Sequence, residues 1–145
     1  GGRFDILNGF DEMLLCGMAV GARGGVGSTY NYSLRTYQNI YDAFMAGDLE
    51  QARAAQQESV DIVHVIINHG GGIRGGKASM KLVCGDCRLP LAPYTEAEIA
   101  RLDEELRAIG FKKQPAYRAD NQHAQLSGRF RSGGRSFRPV RNGIK

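Results

Sequence analysis

Residues 8–31 read NGFDEMLLCGMAVGARGGVGSTYN, a stretch in which two short apolar runs each end in glycine and polar residues. Residues 4–7 lead into it as a strand candidate that stops at Gly9. Residues 11–20 follow helical spacing, with Leu14, Leu15, Met18 and Ala19 on one face and Gly21 as the C-terminal cap. The second run, GGVGSTY, is strand-like again, and its glycines suit a backbone that something approaches closely. Strand, helix, strand and a further helix is the order of parallel β-α units.

The adjacent carboxylates Asp11 and Glu12 have a plain reading at a helix start. They complement the helix dipole and the free backbone N–H groups of the first turn. Parallel pairing of the two strands adds another. Gly9, Asp11 and Glu12 then share one rim with Gly27, Ser28 and Thr29, at the strand C-terminal ends where barrels and open sheets place ligands. Carboxylates accept O–H groups and a serine hydroxyl donates or accepts, so this rim suits a polyhydroxylated ligand. No nucleophile accompanies it, and the expectation is a binding site without a catalytic residue.

The rest of the chain is helical in pattern. Leu34, Tyr37, Tyr41, Phe44 and Met45 recur at helical spacing and Gly47 ends that helix. Asp48 with Gln51 reads as a capping box for the next, which runs through Ala52, Val60, Val63, Ile66 and Ile67 to Asn68 and stops at Gly70. HGGGIRGGK, residues 69–77, reads as a flexible connection before a short helix at 78–83, and CRLPLAPY as a proline-interrupted loop. Thr95 and Glu98 form a second capping box, and Ile99, Leu102, Leu106 and Ile109 give an amphipathic stripe ending at Gly110. Two strands cannot make a stable parallel sheet alone, so residues 1–111 read as part of a larger α/β domain.

Charge divides the 145 residues unevenly. From Lys112 onward nine basic residues face one acid, a net +8, so the overall +4 leaves −4 for residues 1–111. The segment 112–145, rich in Arg, Gly and Ser and without apolar periodicity, is expected to be a disordered basic tail. Arg-Gly segments with Phe130 and Phe137 can bind RNA, but the repeat is irregular and the body is acidic, so nucleic acid is not the expected partner. The three cysteines, Cys16, Cys84 and Cys87, are too few for a disulfide framework and point to a reduced, cytoplasmic setting. No apolar run reaches the roughly 20 residues of a membrane span. The chain begins at GGRFDIL without methionine, so it is expected to belong to something longer, and a missing targeting signal says little.

Two further motifs do not carry chemistry. GGIRGGKA, residues 71–78, approaches the phosphate-binding loop, but a helix pattern precedes it and Ala78 stands where a magnesium-binding hydroxyl is needed. Cys84-Gly-Asp-Cys87 lacks a second ligand pair. Only Cys16, His64, His69 and His123 remain, so no metal is expected.

G-F-D-E-M-L-L followed by G-A-x-G-G-V-G-S-T-Y-N resembles the N-acetylneuraminate lyase branch of the dihydrodipicolinate synthase-like aldolases. The resemblance continues through YQNIYDAFMAGDLEQARAAQ, GGKASMKLVCG and CRLPLAPYTEAE to about Phe111, roughly three-quarters of the chain. It implies an α/β fold, the C-terminal portion of a (β/α)8 TIM barrel. Two parallel β-α units, the seventh and eighth, would be present with the C-terminal helices. Enzymes of this branch cleave N-acetylneuraminate reversibly to N-acetylmannosamine and pyruvate through a lysine Schiff base, with no cofactor.

By motif position Gly9, Asp11, Glu12 and Ser28 are implied to contact the sugar, with Gly27 and Thr29 flanking. The Schiff-base lysine, the phenolic tyrosine and the carboxylate-binding loop of the family would all precede Gly1. Lys77 and Lys81 match helix positions after the barrel. No catalytic residue is therefore expected in this chain, and the isolated chain is expected to be inactive. The HGGGIRGGK loop is one residue longer than the family's usual form. A homotetramer of full-length chains is implied as well. Two other readings stand beside this one: dihydrodipicolinate synthase or another 2-keto-acid aldolase of the same fold, and a non-catalytic binding protein whose basic tail engages nucleic acid.

Overall fold

The structure is a computed structural model that describes residues 4–80 and 87–112. The expected basic tail beyond Lys112, the end of the 78–83 helix, Lys81 and Cys84 lie outside the described residues.

The two expected strands are present as one parallel bridge between Asn8 and Gly25. Asn8 N–H donates to the Gly24 carbonyl at 2.8 Å and Val26 N–H donates to the Asn8 carbonyl at 2.9 Å, while Arg23 N–H reaches the Ile6 carbonyl at 3.3 Å. The direction and neighbourhood are those expected; the length is not. Glycines at 24, 25 and 27 weaken a strand, and a two-stranded parallel ladder lacks the neighbours that would extend it.

After Asn8 the chain turns through a 3-10 helix, Asp11–Met13, into α1, Leu14–Ala19. After Gly27 it enters α2, Tyr30–Ala46, which is kinked at Ser33 (φ −130°, ψ 29°). Gly47 closes α2 in the left-handed conformation, φ +80°, with its N–H on the Phe44 carbonyl at 3.0 Å. The Asp48 carboxylate accepts from Gln51 N–H at 3.0 Å and opens α3, Leu49–Asn68. Then come α4, Gly72–Met80, and α5, Glu96–Ala108. At α5 the capping box is complete in both directions between Thr95 and Glu98. Among the described residues no helix is long and apolar enough to cross a membrane.

α3 is the spine. One of its faces joins Leu14, Met18, Tyr37 and Ile40 through Ala55. The other joins Tyr32, Ala78, Leu102, Leu106 and Phe111 through Ile62 and Ile66. Ile40, Ile62 and Leu102 are fully buried, and each such side chain contributes on the order of 1.5–3 kcal/mol.

Two expectations are corrected here. The buried face of α2 is Tyr32, Ser33, Thr36, Tyr37, Ile40 and Ala43, and Leu34 and Met45 point to solvent. Hydroxyls hold that interface: Ser33 Oγ donates to Thr36 Oγ1 at 3.1 Å, and Thr36 Oγ1 to Glu58 of α3 at 3.2 Å. Ile67 of α3 is likewise exposed. HGGGIRGGK, in turn, is only in part a connection, because α4 begins at Gly72. Gly75 and Gly76 are buried helical positions. A methyl group on Gly75 would lie 3.0 Å from Ile66 Cγ2, and one on Gly76 2.9 Å from the Tyr32 ring. These glycines serve close helix packing against α2 and α3.

Candidate functional site

The parallel register carries both chain segments off the bridge at the same end, and this puts Asp11 beside Thr29. Asp11 is 8% exposed and Thr29 4%. The Thr29 hydroxyl donates to Asp11 Oδ2, and Thr29 N–H approaches the same oxygen at 3.4 Å. Asp11 Oδ1 is buried without a hydrogen-bond partner among the described residues. It lies against Gly27, where an added methyl group would stand 1.8 Å away. Only glycine leaves room for the carboxylate there.

The other members of the expected rim take distinct positions. Glu12 is half-buried, while Gly9 and Ser28 are exposed. The Ser28 hydroxyl lies near the start of α4, 2.8 Å from where a methyl group on Gly72 would stand. The structure therefore joins Asp11, Gly27 and Thr29 in direct contact and sets Ser28 next to the HGGGIRGGK segment. Gly9, by contrast, has nothing within 4 Å of a would-be side chain.

Sequence reasoning missed the residues behind Asp11. Thr29 Oγ1 is 2.6 Å from the Tyr37 hydroxyl, which lies 3.4 Å from Ser59 Oγ. Ser59 Oγ and Gln56 Nε2 reach the Asp11 carbonyl at 3.2 and 3.3 Å, and Gln56 Oε1 accepts from Leu15 N–H at 2.8 Å. Tyr37, Ser59 and Gln56 lie on helices that read as core-facing stripes. The available signal was Ser59, a hydroxyl at the same helical spacing as Ala52, Ala55, Ile62 and Ile66.

The tyrosines here have phenols that ionise above the ordinary range. For Tyr30 and Tyr32 burial is the main cause, and the Asp11 charge adds to it. Tyr37 is raised by burial as well; its hydrogen bonds with Ser59 and Thr29 oppose that, and the Asp11 and Glu12 charges reinforce it. Tyr30 stacks on Tyr37 with ring centroids 4.1 Å apart and planes at 17°. The arrangement can accept hydrogen bonds from a hydroxyl-bearing ligand.

Of the other candidates, Cys16 is exposed and Cys87 half-buried, and no three His, Cys, Asp or Glu side chains cluster among the described residues. Lys77 lies on α4.

A family model described as the Dihydrodipicolinate synthetase family matches residues 1–109. The N-acetylneuraminate lyase of Rattus norvegicus is 34% identical over 126 residues, 84% of this chain and 39% of that protein. The one of Rhizobium meliloti is 36% identical over 107 residues, 72% of this chain and 36% of that protein. The chain thus spans under two-fifths of the length of the curated relatives it matches. Among solved structures, the N-acetylneuraminate lyase of Aliivibrio salmonicida superposes with a TM-score of 0.70 at 36% identity, covering 77% of this chain and 38% of that one. The lyase of Proteus mirabilis superposes at 0.69 with 34% identity, covering 77% and 39%. A dihydrodipicolinate synthase, 22% identical with a TM-score of 0.62, has the same fold. With the family's pattern running through both segments of the rim, the chain belongs to the dihydrodipicolinate synthetase family.

Proposed function

We propose that this chain is the C-terminal portion of an N-acetylneuraminate lyase. It supplies the side of the site that selects the sugar, while the Schiff-base lysine lies in the part of the enzyme outside residues 1–145. The fold goes with that reading: the seventh and eighth β-α units of a (β/α)8 barrel, followed by C-terminal helices in residues 1–111, with 112–145 as a basic extension. So do a cytoplasmic enzyme and a tetramer of full-length chains.

The observation that carries the proposal is the Asp11 carboxylate. One oxygen is fixed by Thr29, and the other has no partner among the described residues, at the common end of two parallel segments. A buried polar atom left unpaired costs on the order of 1–3 kcal/mol. A hydroxyl brought to the rim beside Gly27 would satisfy it. Glu12 and Ser28 extend the same rim with a second carboxylate and an exposed hydroxyl, a set that suits the sugar's hydroxyls and glycerol-like side chain. Within this chain the chemistry is binding and orientation: acceptors hold the long substrate so that its bond lies over the lysine. Supporting the substrate choice, the relatives in the comparison at 34–36% identity are N-acetylneuraminate lyases.

The test uses a complete polypeptide, made by placing residues 1–112 in the position they match in the Rhizobium meliloti enzyme. Glu12→Ala should raise KM for N-acetylneuraminate roughly tenfold, the loss of one hydrogen bond to a charged group. Trapping of pyruvate on the lysine by borohydride should be unchanged. Equal loss of sugar use and pyruvate trapping would contradict the assignment.

A further inference from the structure

The hydrogen bonds around Asp11 run in one direction. A carboxylate only accepts, so the Thr29 proton is committed to Oδ2. With that proton used, the 2.6 Å contact between Thr29 Oγ1 and the Tyr37 hydroxyl takes its proton from Tyr37. The Tyr37 oxygen is backed by Ser59 at 3.4 Å. Gln56 Nε2 donates to the Asp11 carbonyl at 3.3 Å, and the single Ser59 proton is shared between that carbonyl, 3.2 Å away, and the Tyr37 oxygen, so backbone and carboxylate of one residue are held from two helices. The stacked Tyr30 ring sets the plane of Tyr37, 17° from its own.

We propose that Tyr37, supported by Ser59 and Gln56, is a positioning residue that acts through Thr29 to hold the Asp11 carboxylate with Oδ2 committed to the protein and Oδ1 left for the ligand. Selectivity for a polyhydroxylated substrate then depends on α2 and α3 as well as on the rim. The inference deepens the sugar-binding reading and rests on it for the identity of the ligand. The geometry of the relay does not depend on that reading. Without the Tyr37 proton, Thr29 loses the donor that fixes its rotamer, Oδ2 is released, and the carboxylate can turn.

Tyr37→Phe keeps the ring and its stack and removes only the hydroxyl, and two measurements read it. In the 145-residue chain, three-bond NMR couplings should give a single Thr29 χ1 rotamer in the wild type and averaging in Tyr37→Phe; a single rotamer in both overturns the proposal. In the complete polypeptide, Tyr37→Phe should raise KM for N-acetylneuraminate roughly fivefold, one net hydrogen bond. Turnover should stay within about twofold and pyruvate trapping unchanged, because the relay touches neither the lysine nor pyruvate. An unchanged KM, or a parallel fall in sugar use, turnover and pyruvate trapping, overturns the positioning role. Should the wild-type polypeptide trap pyruvate yet leave N-acetylneuraminate intact, the sialic-acid reading falls, and the Thr29 rotamer decides the relay by itself.

Discussion

A methyl group on Gly27 would lie 1.8 Å from Asp11 Oδ1, far inside contact distance. Either the carboxylate leaves its bond with Thr29 or the backbone after the bridge moves. Gly27→Ala should therefore cost about 1–3 kcal/mol of stability, as small-to-large changes at packed sites do, measured by urea unfolding. It should also release the Thr29 rotamer in the same way as Tyr37→Phe. A fully stable Gly27→Ala chain with an unmoved carboxylate would refute the contact. At this scale the sequence named Asp11, Gly27 and Thr29, because helix-start acids and glycines after strands have local signatures. It placed Tyr37 on a helical stripe without a role at the rim, and it did not single out Ser59 or Gln56. Their role depends on how two helices dock, which no local spacing encodes.

The helices show where local chemistry suffices and where it does not. α5 starts at the Thr95–Glu98 box expected of it, since a capping box closes its hydrogen bonds within four residues. Backbone and side-chain bonds from Thr95, with Arg74 adding to them, hold the Glu98 carboxyl below its ordinary value of 4.5. A lowered folded-state pKa contributes stability that is complete above the unfolded value and is lost as pH falls through the folded one. Thr95→Ala should cost about 1 kcal/mol near neutral pH. It should also flatten the loss of stability that the wild type shows as pH drops below 4.5, in urea unfolding across that range. An acid response identical to wild type would place the titration elsewhere. α4 is the opposite case. Four glycines in GGIRGG argue for a loop by propensity, each costing a helix roughly 1 kcal/mol against alanine. Burial of Gly75 and Gly76 against Ile66 and Tyr32 overrides that preference.

At the scale of the molecule, the bridge segments expose Phe4, Ile6, Leu7, Phe10 and Val26 at 69%, 63%, 54%, 58% and 62%. Exposed large apolar side chains at this density mark segments built to be covered. In a barrel, neighbouring strands and helices would cover it, and the short ladder between Asn8 and Gly25 would lengthen with strands on either side. The parallel β-α order was legible from glycine stops and apolar periodicity, and the strand lengths were not, because they depend on those neighbours. The function proposed above divides the labour, with the sugar chosen by this chain and the bond broken by a lysine outside it. It is tested most directly by pyruvate release from N-acetylneuraminate, measured for the purified 145-residue chain and for residues 1–112 placed in the Rhizobium meliloti enzyme. The chain should release none, and the complete polypeptide should turn the sugar over. Release by the chain alone, or a folded complete polypeptide that traps pyruvate but leaves N-acetylneuraminate uncut, would contradict it.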